Sequence, residues 1–169
     1  MQNTFKKEKL NQNSTNLEFF IKEIFIKTNE DVKNEITSSV RFSGSTCISV
    51  IYTDKKLICA NIGDSRAVMG RCTDKGKKIF SFLTFLIEWI CYELSIDHKP
   101  TDPNEAKRII KAGGRVEPFK DESGNSIGPS RIWLKDEMVP GLAMTRSFGD
   151  VCASEVGVTS EPGMFVFLL

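Results

Sequence analysis

The chain has 169 residues, of which 40% are hydrophobic and 27% charged, a composition that suits one globular domain and excludes disorder as the dominant state. Lys plus Arg number 23 against 22 Asp plus Glu, so no global positive field exists to hold nucleic acid or an anionic membrane, and neither partner is expected. Five cysteines (Cys47, Cys59, Cys72, Cys91, Cys152) without a C-x-x-C pair read as reduced thiols. Residues 1–10 lack a secretory apolar core, so a cytoplasmic or nuclear location is expected.

Residues 1–13 are polar and expected to be a disordered N-terminal segment. From Thr15 to Ile36, the apolar positions Leu17, Ile21, Ile24, Phe25, Thr28, Val32 and Ile36 follow helical spacing, and Thr15 with Glu18 forms a capping box. After Ser43-Gly44-Ser45-Thr46 the pattern turns to strands: Cys47 to Tyr52, a Lys55-Lys56 turn, Leu57 to Asn61, and Arg66 to Gly70. The apolar run Ile79 to Cys91 is too short, and contains Glu88, to span a membrane, while Trp89 to Ile96 reads as a further strand. Asp102 as cap, Pro103 at the first helical position, Glu105 completing a box and Gly113-Gly114 as a stop define a second helix with an apolar face of Ala106, Ile109 and Ile110. Residues 115–140 mix charge with Gly, Ser and Pro and predict a long loop with short strands. Strands in runs, without β-α-β alternation, argue for an α+β fold with antiparallel pairing.

Several mechanisms fail on inventory. There is one histidine, His98, and no G-x-S-x-G elbow, which removes support for a Ser-His-Asp hydrolase. Gly70 to Lys78 misses the spacing of a phosphate loop and its Ser/Thr, and Cys59 lies one position too far from Arg66 for a thiol phosphatase cradle, so Cys59 reads as a buried strand residue. Gly63-Asp64-Ser65-Arg66 is more informative. An acid in a glycine turn straight after a strand can face a hard cation or can close an Asx turn on its own backbone. Phe148-Gly149-Asp150 offers the same pair of readings.

The ordered series Ser43 to Thr46, Ala60 to Val68 (ANIGDSRAV), Leu94 to Pro100 (LSIDHKP), Arg108 to Val116 (RIIKAGGRV), Gly141 to Asp150 (GLAMTRSFGD) and Gly157 to Pro162 resembles the metal-dependent Ser/Thr protein phosphatase family, type 2C. The resemblance implies an α-β-β-α sandwich of two mainly antiparallel sheets flanked by helices, here incomplete and spanning residues 14–162. It also implies Mg²⁺ or Mn²⁺ as cofactor of the complete domain and phosphoserine or phosphothreonine proteins as substrates. On this resemblance Asp64 contributes to an additional metal position, Asp150 is a second metal candidate, and Val116 to Val139 is the flap beside the cleft where substrate contacts are expected. His98 does not inherit the family's catalytic role, because the Asp-Gly-His-Gly block that carries it is absent.

The blocks that supply the phosphate clamp and most metal ligands are missing from the 169 residues. Two readings follow: a phosphatase section inactive alone, with no catalytic residue of its own, or a non-catalytic, pseudophosphatase-like module that binds phosphoproteins. An incomplete sandwich exposes sheet edges, so self-association or a molten state is expected. The chain carries 12 Phe against 2 Tyr, concentrated in part in two stretches. Residues 77–87 read as an insertion and 163–169 as a tail outside the family pattern, and both 77–87 and 164–169 can be read as translated intron sequence.

Overall fold

A computed structural model describes residues 15–35, 39–53, 55–79 and 82–168, with the side chains of 15–16, 73–79 and 82–88 left aside. The first helix, α1 (Thr15–Glu35), has the predicted extent. Its buried face differs from the expected one: Glu18, Ile21, Phe25 and Asn29 turn inward, whereas Leu17 and Ile24 are exposed together with Phe19, Phe20 and Ile26. Apolar residues lie all around this helix, so spacing alone cannot choose the face. Thr15, half of the expected capping box, falls outside the described side chains.

Four strands follow: β1 (Gly44–Ser45), β2 (Cys47–Thr53), β3 (Lys56–Ile62) and the longer β4 (Val68–Ile79). Lys55 takes a positive φ of 62° in the β2–β3 turn. Strand β5 (Phe82–Glu93) returns along β4 in continuous antiparallel register from Val68↔Glu93 to Ile79↔Phe82. Residues 77–79 and 82–87 are therefore the distal end of this hairpin, and the expected strand through Ile96 stops at Glu93, three residues early.

Helix α2 (Pro103–Lys111) keeps the predicted ends: Asp102 caps it through the backbone N–H groups of Asn104 (2.8 Å) and Glu105 (3.1 Å), and Ala112 closes it before the glycines. Its face is narrower than expected, with Ile109 fully buried and Ile110 exposed. The stretch expected as a long loop with short strands is more regular than that: β6 (Arg115–Lys120), β7 (Ser126–Trp133) and β8 (Pro140–Leu142) form an antiparallel three-stranded sheet. Then come β9 (Phe148–Gly149), the single-turn α3 (Val151–Ser154) and β10 (Gly163–Leu168). Strand β10 pairs antiparallel with β3, Gly163↔Asn61 to Leu168↔Lys56, giving the order β10-β3-β2.

Two cores organise the described residues. In the first, Ile21 and Phe25 of α1 pack on Ile58, Ala60 and Ile62, alternate residues of β3, with Ile51, Phe148, Met164 and Val166 at the edge. The second joins α2, the β6-β7-β8 sheet and the α3 region through Ile109, Ile132, Ala153, Val156 and Val158. Helices set against antiparallel sheets make the α+β class. On the sheet face away from α1, Val50 (44%) and Tyr52 (67%) remain exposed. No described helix is long and apolar enough to cross a membrane.

Candidate functional site

The β3–β4 turn is built around Gly63, whose φ of 88° suits glycine and whose Cα sits against the Thr46 side chain and the Arg146 carbonyl. This close fit sets Asp64 and Arg66 on the rim. The turn is clasped to residues 94–99 at several points. Leu94 N–H donates to Ala67 O (2.9 Å), Ala67 N–H to Ser95 Oγ (3.0 Å), and His98 N–H to Gly63 O (3.0 Å). Arg66 donates twice to Asp97, at 3.0 Å from both Nε and Nη2, and Lys99 Nζ is ion-paired with the Asp64 carboxylate. Arg66, held this way, keeps the Asp97 carboxyl below its ordinary value.

His98 fills the middle of the clasp at 6% exposure. Burial, reinforced by the positive charge of Arg146, pushes its imidazole down to about 4, so it is neutral at pH 7. Nδ1 of His98 and Oδ1 of Asn61 have no hydrogen-bond partner among the described residues, and Asn61 Nδ2 donates to the Ile96 carbonyl at 3.1 Å. The imidazole of His98 is thus neutral and enclosed.

The Asp150 turn lies on the other side of Gly44. Asp150 has φ 44°, its N–H donates to Ser43 O (2.8 Å), and its carboxylate rests against the Cα of Gly44. Burial pushes the Asp150 carboxyl up. Asp64 and Asp150 thus flank the same Gly44–Thr46 stretch, since Ser65 Oγ and Thr46 Oγ1 are hydrogen-bonded at 2.7 Å.

Sequence reasoning missed the most concentrated polar group. Glu105, expected to close a capping box, instead lies buried and receives Arg108 Nη1 (2.8 Å) and Nη2 (3.0 Å), Arg146 Nε (3.0 Å) and Nη2 (2.7 Å), and the Thr145 hydroxyl. Burial alone would push this carboxyl up, but the two guanidiniums and the hydroxyl hold it well below the usual carboxylate range. Arg108 also donates to Gly157 O and Thr145 O. The available signal was the i,i+3 pair Glu105–Arg108 on α2, whereas Thr145 and Arg146 lie in a separate block with nothing local to join them to it.

These residues do not fit a dinuclear metal centre. A hydrolytic metal site needs several oxygen ligands and open positions for water. Among the described residues no group of three or more His, Cys, Asp and Glu converges, and the Asp64 carboxylate is already matched by Lys99. The predicted flap, Val116 to Val139, holds an open cleft of about 380 Å³ lined by Phe119, Ile127, Arg131 and Trp133 with Pro140 and Gly141 beyond it. Trp133 is fixed there by its indole N–H on Glu117 O (2.9 Å) and by its ring against Phe119. Cys59 is buried, as expected, and burial pushes its thiol up to about 11; all five cysteines are free.

The fold has counterparts among solved structures. A serine-threonine phosphatase 2C from Toxoplasma gondii superposes with TM-score 0.70 at 20% identity, over 96% of this chain and 51% of that one. A sex-determining protein of C. elegans superposes with TM-score 0.62 at 21% identity, over 94% and 32%. Sequence relatives are nearer. The rice "Probable protein phosphatase 2C 12" is 39% identical over 138 residues, 82% of this chain and 32% of its own, and the Arabidopsis thaliana "Probable protein phosphatase 2C 73" is 34% identical over 145 residues, 83% and 35%. The family model described as protein phosphatase 2C matches residues 1–166, and the chain belongs to that family. It spans about a third of the length of these relatives.

Proposed function

We propose that these residues are a section of a Mg²⁺- or Mn²⁺-dependent phosphatase that dephosphorylates phosphoserine and phosphothreonine proteins, and that the 169-residue polypeptide by itself does not turn over. The observation that carries the reading is the family match across residues 1–166. Asp64, on the rim of the clasped turn, is the metal-facing candidate; Asp150, buried against Gly44, is the weaker one. The Val116–Val139 flap, with its aromatic cleft, is the proposed place of substrate contact. Residues 77–87, an insertion relative to the family pattern, and residues 164–169 are both proposed as translated intron sequence; end-to-end cDNA sequencing that retains both stretches would refute the intron reading.

A chimaera tests the function. Residues 40–162 replace the matching segment of the rice relative, and hydrolysis of a phosphothreonine peptide is measured with Mn²⁺. Activity is expected in the chimaera and none in the 169-residue chain. A folded chimaera that binds Mn²⁺ but leaves the peptide intact would reject the phosphatase reading. That result would favour the second reading, a non-catalytic module that binds phosphoproteins, which the pairing of Asp64 with Lys99 supports.

A further inference from the structure

We propose that the outer face of the β6-β7-β8 sheet binds an extended protein segment carrying an apolar side chain and, two residues away, an anionic one. This rests on the flap being a place of substrate contact and adds what the flap selects. The apolar half of the site is held rigidly. Trp133 is fixed by its indole N–H on Glu117 O (2.9 Å) and by Phe119, with 6.4 Å between ring centroids. Gly141 closes on the indole from the other strand, so near that a Cβ there would meet the ring at 2.9 Å. Beside this floor the cross-strand partners Phe119 and Ile127 stand 44% and 51% exposed, and with Pro140 they wall the open cleft of about 380 Å³. Exposed apolar walls around a fixed aromatic floor mark a surface that a further apolar side chain covers.

The polar half is a single cation. Among the described residues that line the cleft, Arg131 alone is charged. Its Nη1 donates to Gly141 O at 2.8 Å, which aims the guanidinium, and no described carboxylate pairs with it. Glu117, the acid directly across the strand pair, is taken by Arg115. A guanidinium with donors left over and no counter-ion complements a carboxylate or a phosphate, which its planar fork can grip with two N–H groups. The spacing follows from β7 itself. Arg131 and Trp133 are alternate residues of that strand and both face the cleft, which sets them roughly 6.6–6.8 Å apart. An extended segment lying beside them presents its own alternate side chains at the same interval, one to the aromatic floor and the next to Arg131.

Fluorescence anisotropy of short labelled peptides reads binding without turnover. The probes are Phe-x-Glu, Phe-x-phosphoserine, Ala-x-Glu and Phe-x-Gln sequences, titrated with the 169-residue chain and with the metal-free chimaera, each as wild type, Arg131→Gln, Arg131→Lys and Phe119→Ala. Phe119 and Arg131 lie outside both cores, so the variants should keep the wild-type circular dichroism. Replacing Phe by Ala, or Glu by Gln, in the peptide should weaken binding about three- to tenfold. Arg131→Gln should cost as much as removing the anion and nothing further against Phe-x-Gln, and Phe119→Ala should couple in the same way to the peptide Phe. Arg131→Lys should fall between. Tighter binding of the phosphoserine peptide assigns the anion to phosphate and equal binding assigns it to a carboxylate; both support the site. Equal affinity for all four peptides, an Arg131→Gln loss that persists with Phe-x-Gln, or no binding up to about 1 mM would overturn it. Self-association of the chain that Phe119→Ala abolishes would also overturn it, by giving the face to a second copy. The phosphatase reading stands or falls separately, on hydrolysis by the Mn²⁺-loaded chimaera.

Discussion

Replacing Glu105 by Gln keeps the size of the side chain and removes its charge, leaving two guanidiniums facing a neutral amide. Glu105 is 8% exposed at its side chain, Arg146 19% and Arg108 31%, so neither arginine can simply turn to water. Breaking a buried pair by neutralising one partner costs about 3–5 kcal/mol. Here both arginines retain carbonyl acceptors, Gly157 O and Thr145 O for Arg108 and Glu161 O for Arg146 at 2.8 Å, which places the expected loss at the lower end, about 3 kcal/mol. Marginal domains hold only about 5–15 kcal/mol in total, so the change is large. Urea unfolding followed by circular dichroism at pH 7 measures it. Lys22→Ala is the comparison, because the Lys22–Glu161 pair is exposed on both sides and is worth about 0–1 kcal/mol. A Glu105→Gln loss below about 1 kcal/mol would show that the buried carboxylate does not hold α2 to residues 145–146.

Acidification should destabilise the fold through His98. Its folded value of about 4 lies below the ordinary 6.5, so the unfolded chain takes up the extra proton; stability is full above pH 6.5 and is lost as pH falls toward 4, by about 3 kcal/mol. Glu105, held low, adds a loss in the same direction below its ordinary 4.5, whereas Asp150, held high by burial, is relieved as pH falls. Urea midpoints at pH 7 and 5 check the sign, and an unchanged midpoint would contradict an enclosed neutral imidazole. Gly44→Ala should cost about 2–3 kcal/mol, because the new methyl meets the Asp150 carboxylate and the Phe148 carbonyl across the β1–β9 pair. Gly124→Ala, at φ 81° with open space around it, should cost only the backbone strain of about 1–2 kcal/mol. Thermal melts of the two variants, compared side by side, test that ranking.

What the sequence made legible was local. Asp102, Pro103 and Gly113 define α2 because caps and breakers act within a turn, and the β2–β3 pairing follows from two β-branched runs joined by a tight polar link. The β6-β7-β8 sheet was hidden because the first four residues of β7 are exposed, so composition there resembles a loop although the backbone is paired. Asn29 was hidden for the opposite reason. It occupies a core position of α1 because its Oδ1 accepts the N–H of Gly149 at 2.9 Å, a partner 120 residues away. Asp64 was visible in its turn, but its ion-pair partner Lys99 lies 35 residues on, beyond any spacing rule.

The contacts also explain what the ordered blocks encode. Each block supplies one half of a contact whose other half lies in a different block: Thr46 with Ser65, Asp64 with Lys99, Arg66 with Asp97, the His98 carbonyl with Thr145 N–H, and Arg108 with the Gly157 carbonyl. The clasp and the Glu105 hub are continuous, because Thr145 joins His98 by its backbone and Glu105 by its hydroxyl. A substitution on either side of Thr145 therefore perturbs both. These contacts are made within the chain, so the motifs by which the family is recognised are here residues that hold the scaffold. The resemblance accordingly argues for the fold more strongly than for catalysis.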